Sequence, residues 1–326
     1  LGRAVVTRLL RAEVTRLLGR RFTGIALIML LLGLTGCQLV INDALSPPTG
    51  EQRATAQRMY EDAHKDWVSN HEQYEQECRD TGAPPDECVI PEPKLEEFTT
   101  GPMPFKQAAR TAVQLSTVLV ALITFMIAAS FIGAEYGSGS IANWLTFIPR
   151  RGHVFWSKLL TVGGFATLAG AFGATVALSA TVLLGHLYGS RIESVPELAR
   201  LGARSVLPVI LLALFGFCIS LVTRHTAAAM GVLVGTALAW FVRVGPLHST
   251  AWAQRLTPWT PEGNMAAIVE RGYTYAVPIE QVTPDGVNID YVEHSVGFSH
   301  GLIYWAILLA VIVLGSLLIF RRRDVI

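Results

Sequence analysis

Six stretches of this chain contain no Asp, Glu, Lys or Arg: Phe22–Asn42, Thr111–Ala134, Leu159–Gly185, Ser205–Thr223, Thr226–Val242 and Gly301–Phe320. An apolar run of roughly 20 residues, rising 1.5 Å per residue as a helix, crosses a hydrocarbon layer about 30 Å thick. In lipid every backbone N–H and C=O must be satisfied within the protein, and a helix does this within one segment. The runs are continuous rather than alternating, so they are read as six transmembrane helices. The expected fold class is therefore an all-α membrane protein. Composition agrees: 51% of residues are hydrophobic and 16% charged, against about 25% charged in a soluble domain.

An even number of spans puts both termini on one side. Lys and Arg density chooses the side, because basic loops stay in the cytoplasm. Residues 1–21, 135–158, 224–225 and 321–326 hold 13 of the 26 Lys and Arg residues in 53 positions, whereas the opposite segments spread 13 over 145. The expected location is a bacterial cell membrane, with multiple passes and both termini cytoplasmic. Acidic residues divide more sharply: only Glu13, Glu135 and Asp324 fall on the cytoplasmic side. The net charge of +1 thus conceals a basic inner face and an acidic outer one. No basic patch carries interleaved aromatics, which argues against a nucleic-acid partner.

The boundaries follow from these spans. Residues 1–21 form a cytoplasmic interfacial helix, 22–42 the first span, 43–110 an extracytoplasmic subdomain and 111–134 the second span. Residues 135–158 form a cytoplasmic loop, 159–242 spans three to five, 243–300 a second extracytoplasmic segment, 301–320 the sixth span and 321–326 a basic tail. In the first of these, VTRLL occurs twice, eight residues apart. Leu9, Leu10, Val14, Leu17 and Leu18 make an apolar stripe with Arg8, Arg11 and Arg16 on other faces, as in a helix lying on a membrane surface. Leu34-Thr35-Gly36-Cys37 matches a lipoprotein cleavage pattern. The apolar sequence continuing through Leu39, Val40 and Ile41 favours an intact span instead.

Cys78 and Cys88 lie ten residues apart in the first outer segment, where an oxidising exterior permits a disulfide. Such a bridge contributes about 3 kcal/mol in the chain-entropy model. A metal site is disfavoured, because no His/Cys partner pair stands at ligand spacing. Upstream, Tyr60, Ala63, Trp67 and Tyr74 recur at roughly helical spacing, as a stripe packing on the rest of the segment. Six prolines between Ala83 and Phe105 predict extended chain. In the last outer segment, Pro261–Arg271 reads as a short helix. Tyr273–Val282 and Val287–Val292 read as a β-hairpin joined by Thr-Pro-Asp-Gly. Trp240, Trp252 and Trp259 suit the outer membrane interface. Gly-rich sequence in the third span, and Gly231 and Gly235 in the fifth, permit close helix approach.

Chemistry of its own is not legible in the chain. The apolar runs carry no charged relay of the kind proton-coupled transporters use. There is no HExxH and no GxxxxGK[ST], so neither a metalloprotease nor a P-loop nucleotide site is expected. The loop 135–158 is the most informative segment that remains. Ile141, Trp144, Leu145 and Ile148 fall at i, i+3, i+4 and i+7 on one face, after Ser140 as a cap and before Pro149 as a stop. Arg150, Arg151 and Lys158 follow.

In order, Glu135, Gly139-Ser140-Ile141, Pro149, Arg150-Arg151 and Lys158 are similar to the E-x-x-x-G-[TS]-I … P-x-x-R … K pattern in membrane subunits of ABC exporters of the second type. The basic helix from Arg11 to Arg21 and the small-residue turn Leu221–Ala229 resemble that family too. The resemblance implies a permease subunit that is not itself an enzyme, with no cofactor in this chain. ATP and Mg would be held by separate cytoplasmic ABC ATPase subunits, and a second permease copy or paralogue would complete the assembly in the lipid membrane. It also implies that 135–158 is the coupling helix. Glu135, Gly139, Ile141, Trp144, Leu145, Pro149, Arg150 and Arg151 are then the candidate coupling residues: Ile141, Trp144 and Leu145 bury apolar area in an ATPase groove, Arg150 and Arg151 pair with acidic groups or lipid phosphates, and Glu135 hydrogen-bonds the loop or pairs with the basic helix. The alternative function is a non-transport membrane sensor or scaffold binding partners through 43–110 and 243–300.

Overall fold

The computed structural model describes residues 2–82, 84, 86, 88–99, 101–141, 146, 150–247, 250–283 and 286–322. Among the described residues, six helices are long and apolar enough to cross a membrane: α2 (Arg21–Leu45), α5 (Phe105–Gly137), α6 (Arg151–Leu187), α7 (Val195–Thr223), α8 (Thr226–Val244) and α11 (Phe298–Arg322). Before them runs α1 (Gly2–Leu18). Most of the helices outrun the apolar stretches that announce them. A helix has no reason to stop where the hydrocarbon ends, and charged residues at its ends meet the headgroup region. Helix α2 passes uninterrupted through Cys37.

Helices α5, α6 and α7 form the centre of the bundle. Phe131, Phe155, Phe217 and Phe320, together with Leu17 and Ile141, are buried in its largest apolar cluster. Small residues set the spacing between α5 and α7. A methyl group on Gly216 would lie 2.7 Å from the Phe125 carbonyl oxygen and 3.0 Å from its ring. Gly133 lies just as close to Ser220 and Thr226, and the Ser220 hydroxyl donates to the Ala129 carbonyl at 2.8 Å. By contrast, Gly231 and Gly235 in α8 face open space, so their spacing is not used for packing among the described residues. The turn between α7 and α8 is as tight as its sequence predicts: Arg224 alone adopts a left-handed conformation (φ 61°) before α8 begins at Thr226.

Contacts sort the helix ends into two groups. At one end, α1 meets the close of α5 and the start of α6, and Arg151 of α6 donates to the Phe320 carbonyl of α11. At the other, Tyr188 donates to Asn42 (2.9 Å), Lys106 pairs with Glu197 (2.9 Å) and Arg110 with Glu270 (2.8 Å). Both outer segments belong to this second end. Helix α3 (Gly50–Asp80) opens with a capping box between Thr49 and Gln52. Its aromatic stripe packs on the returning chain: Trp67 donates to the Ile90 carbonyl at 3.0 Å, and Tyr60 meets Phe98 edge-on. That proline-rich return is non-helical over most of its described length but includes one helical turn, α4 (Leu95–Phe98), which the sequence did not predict. Cys78 and Cys88 form a disulfide that ties α3 to it.

The second outer segment holds α9 (Ala251–Arg255), a 3-10 turn at Thr257–Trp259 and α10 (Pro261–Glu270). A hairpin follows, with β1 (Tyr273–Thr283) antiparallel to β2 (Gly286–Val296) in a register from Tyr273↔Val296 to Thr283↔Gly286. Helix α10 ends one residue earlier than expected, because Arg271 takes the left-handed position (φ 63°) ahead of Gly272.

Two measurements follow. Non-reducing alkylation and mass spectrometry of the purified chain should find Cys78 and Cys88 blocked and Cys37 alkylated after unfolding; free thiols at both 78 and 88 would contradict the bridge. Gly216→Ala should lower the thermal midpoint in detergent, at a cost of about 1–3 kcal/mol for overpacking a tight contact, while Gly235→Ala should leave it unchanged.

Candidate functional site

Where α1, α5 and α6 converge, the structure buries a cluster of charges. The Lys158 ammonium lies 2.8 Å from Glu13 and 2.7 Å from Glu135, and all three side chains are 1% exposed or less. Arg20 reaches Glu135 at 3.3 Å and donates a second hydrogen bond to the Ser130 carbonyl at 3.0 Å. Arg16 flanks both carboxylates at 3.9 and 3.8 Å. Beside them is the Phe131 ring, with Lys158 4.7 Å and Arg20 5.0 Å from its centroid. Both distances are within cation–π range.

Local sequence explains the placement. Leu9, Glu13 and Leu17 stand four residues apart and are all buried, so Glu13 occupies the inward face of α1 between two leucines. Glu135 lies in the last turn of α5, and Lys158 is in the third turn of α6. The loop that joins them therefore starts and ends at the same point in space. A buried ion pair survives only when geometry and extra hydrogen bonds repay desolvation. Here one ammonium serves two carboxylates, and two partly exposed guanidinium groups share the remaining oxygens. Burial lowers the Arg20 pKa below its ordinary value, with Glu135 opposing the shift; a guanidinium so basic remains charged throughout.

The expected coupling residues meet different fates. Glu135 pairs with the basic helix, through Arg16 and Arg20, and with Lys158 as well. Gly139 has φ 67°, a conformation that favours glycine, and it turns the chain out of α5. Ile141, expected to bury apolar area in an ATPase groove, is 1% exposed and packed in the chain's own core. Its apolar area is used internally and is not offered to a partner groove. Arg150 is exposed, and Arg151 is held partly by the Phe320 carbonyl at 3.4 Å. Trp144, Leu145 and Pro149, like Ile148, lie outside the described residues. Glu135 and Lys158 border the charge-free runs at 111–134 and 159–185, yet both lie within the longer helices α5 and α6 and are enclosed.

Sequence reasoning missed Glu13 as a site residue, and gave Lys158 as the last member of the family pattern without a role. One signal pointed to Glu13. It is the only acidic residue in the first 21, and it stands at i+4 from Leu9 and i−4 from Leu17.

Lys158→Met should destabilise the protein by about 3–5 kcal/mol, since it strands two buried carboxylates. Adding Glu13→Gln and Glu135→Gln to it should restore much of that loss. Thermal unfolding in detergent checks both, and a triple variant no more stable than the single one would contradict the pairing.

No curated protein matches this chain. The family described as ABC-2 family transporter protein matches residues 14–325, a span that takes in all six membrane helices, both outer segments and every member of the buried charge cluster except Glu13, which stands one residue before it. The chain belongs to the ABC-2 family of transporter membrane proteins.

Proposed function

We propose that this chain is the permease subunit of an ATP-driven exporter, worked by separate ATPase subunits bearing on residues 135–158. The observation that carries this reading is the buried cluster. Glu135 and Lys158, at the two ends of the segment, are joined to each other and to Glu13 of α1. A push on the segment is then passed to α1, α5 and α6 together, because yielding locally would expose three desolvated charges. ATP and Mg belong to the partner in this reading, the chain itself having no P-loop sequence. The terminal end of the bundle faces the cytoplasm, consistent with its arginine density and with a disulfide at the opposite end. A second permease copy or paralogue completes the transporter.

With Ile141 used internally, Trp144 and Leu145 are the residues assigned to the ATPase groove. The test is recovery of an ABC ATPase with affinity-tagged full-length chain from its native membrane. Trp144→Glu combined with Leu145→Glu should cut recovery at least tenfold without moving the thermal midpoint, since two apolar anchors are lost. Failure of the unaltered chain to recover an ATPase, or no effect of the substitutions, would leave the sensor or scaffold reading in its place.

A further inference from the structure

Two open cavities meet on α6, and their chemistry differs. The first, about 610 Å³, lies at the terminal end of the bundle and presents Arg150, Arg151, Arg321, His153 and Trp156. None of the described residues lining it is acidic. Glu13 and Glu135, acidic groups of the neighbouring α1 and α5, are turned inward onto Lys158. Arg150 and Arg321 form no ion pair among the described residues. The second cavity, about 870 Å³, is an apolar groove between α1, α2 and α6, walled by residues such as Leu10, Leu31, Phe165, Leu168 and Phe172. Leu160 lines both.

Length selects the occupant. From Leu160 to Phe172 the groove follows α6 for twelve residues, roughly 18 Å at 1.5 Å per residue. Half of a hydrocarbon layer is about 15 Å. The groove thus has the depth of one leaflet, and the arginines sit at its headgroup end. Basic pockets between membrane helices are suited to anionic headgroups, and Trp156, 43% exposed, has the amphipathic ring that favours that depth. We propose that these joined cavities are a binding site for one anionic phospholipid of the leaflet on the side of the termini, its phosphate among Arg150, Arg151 and Arg321 and an acyl chain in the groove between α1, α2 and α6. The proposal stands apart from the ATPase reading and requires no partner chain.

The test uses the full-length chain in nanodiscs of equal phosphatidylglycerol and phosphatidylcholine, with retained lipid counted by native mass spectrometry after transfer to detergent. One phosphatidylglycerol per chain should persist in preference to phosphatidylcholine. Each arginine near an anionic surface is worth roughly a fivefold preference, so Arg150→Gln with Arg321→Gln should lower it on the order of 25-fold. Gly164 lines the groove and has open space around a Cβ. Gly164→Phe should therefore fill the groove and remove the retained lipid while the thermal midpoint is unchanged. Equal retention of the two lipids would overturn the proposal. Loss on the arginine substitutions but not on Gly164→Phe would overturn it too, marking a bare anion site. Unchanged lipid together with lost ATPase recovery in the arginine variant would assign the basic cavity to protein docking instead.

Discussion

A lysine ammonium held by two carboxylates at 2.7 and 2.8 Å, with all three side chains out of water, constrains every element that supplies one of them. Separating any pair exposes an uncompensated charge to a medium that cannot solvate it, a cost of several kcal/mol. The three groups come from α1, the end of α5 and the third turn of α6. These elements therefore move together or not at all. Around the cluster, the Phe131 ring and the packed aromatics of α6, α7 and α11 exclude water. Phe155 touches both Phe217 and Phe320, with ring centroids 5.9 and 6.4 Å away. The apolar packing keeps the charges dry, and the charges fix which helices pack.

The opposite end of the bundle is built differently. Its ion pairs, Lys106–Glu197 and Arg110–Glu270, are partly exposed and individually worth little. The first joins α5 to α7 and the second docks α10 onto α5, without locking them. Rigidity there comes from the disulfide at Cys78–Cys88 and from α10, where Asn264 donates to the carbonyls of Pro258 and Thr260, both at 2.8 Å. One end holds its parts through buried charge and the other through local covalent and backbone bonds. Displacement applied at the terminal end is thus shared among three helices, while the outer segments keep their own shapes.

Much of this was legible in the sequence, for physical reasons that also mark the limit. Charge-free runs must be spans because lipid tolerates little else, so the six helices and the turn at Arg224 were readable. The hairpin was readable from its alternating strands and its Thr-Pro-Asp-Gly connection. Helix ends were less so: α6 begins at Arg151, eight residues before its charge-free run, because an ion pair inside the bundle lets a charge sit within a helix. Lys158 and Glu13 are 145 residues apart in sequence, and no local spacing encodes that meeting. Ile141 shows the same limit, since a residue on an apolar stripe looks alike whether its partner is its own core or another chain.

Ile141 also changes what a docking surface here can be. With that side chain inside the core, the start of the 140–148 stripe is anchored within this chain. The anchored residue stands two positions after Gly139, whose left-handed backbone fixes the exit from α5, and that exit lies four residues from Glu135. A segment pinned at Ile141 and again at Lys158 is a closed loop on a rigid base. Such a loop transmits force in proportion to the stiffness of its base. The buried charge cluster supplies that stiffness, so the chemistry that costs most to bury lies where force would enter the membrane bundle.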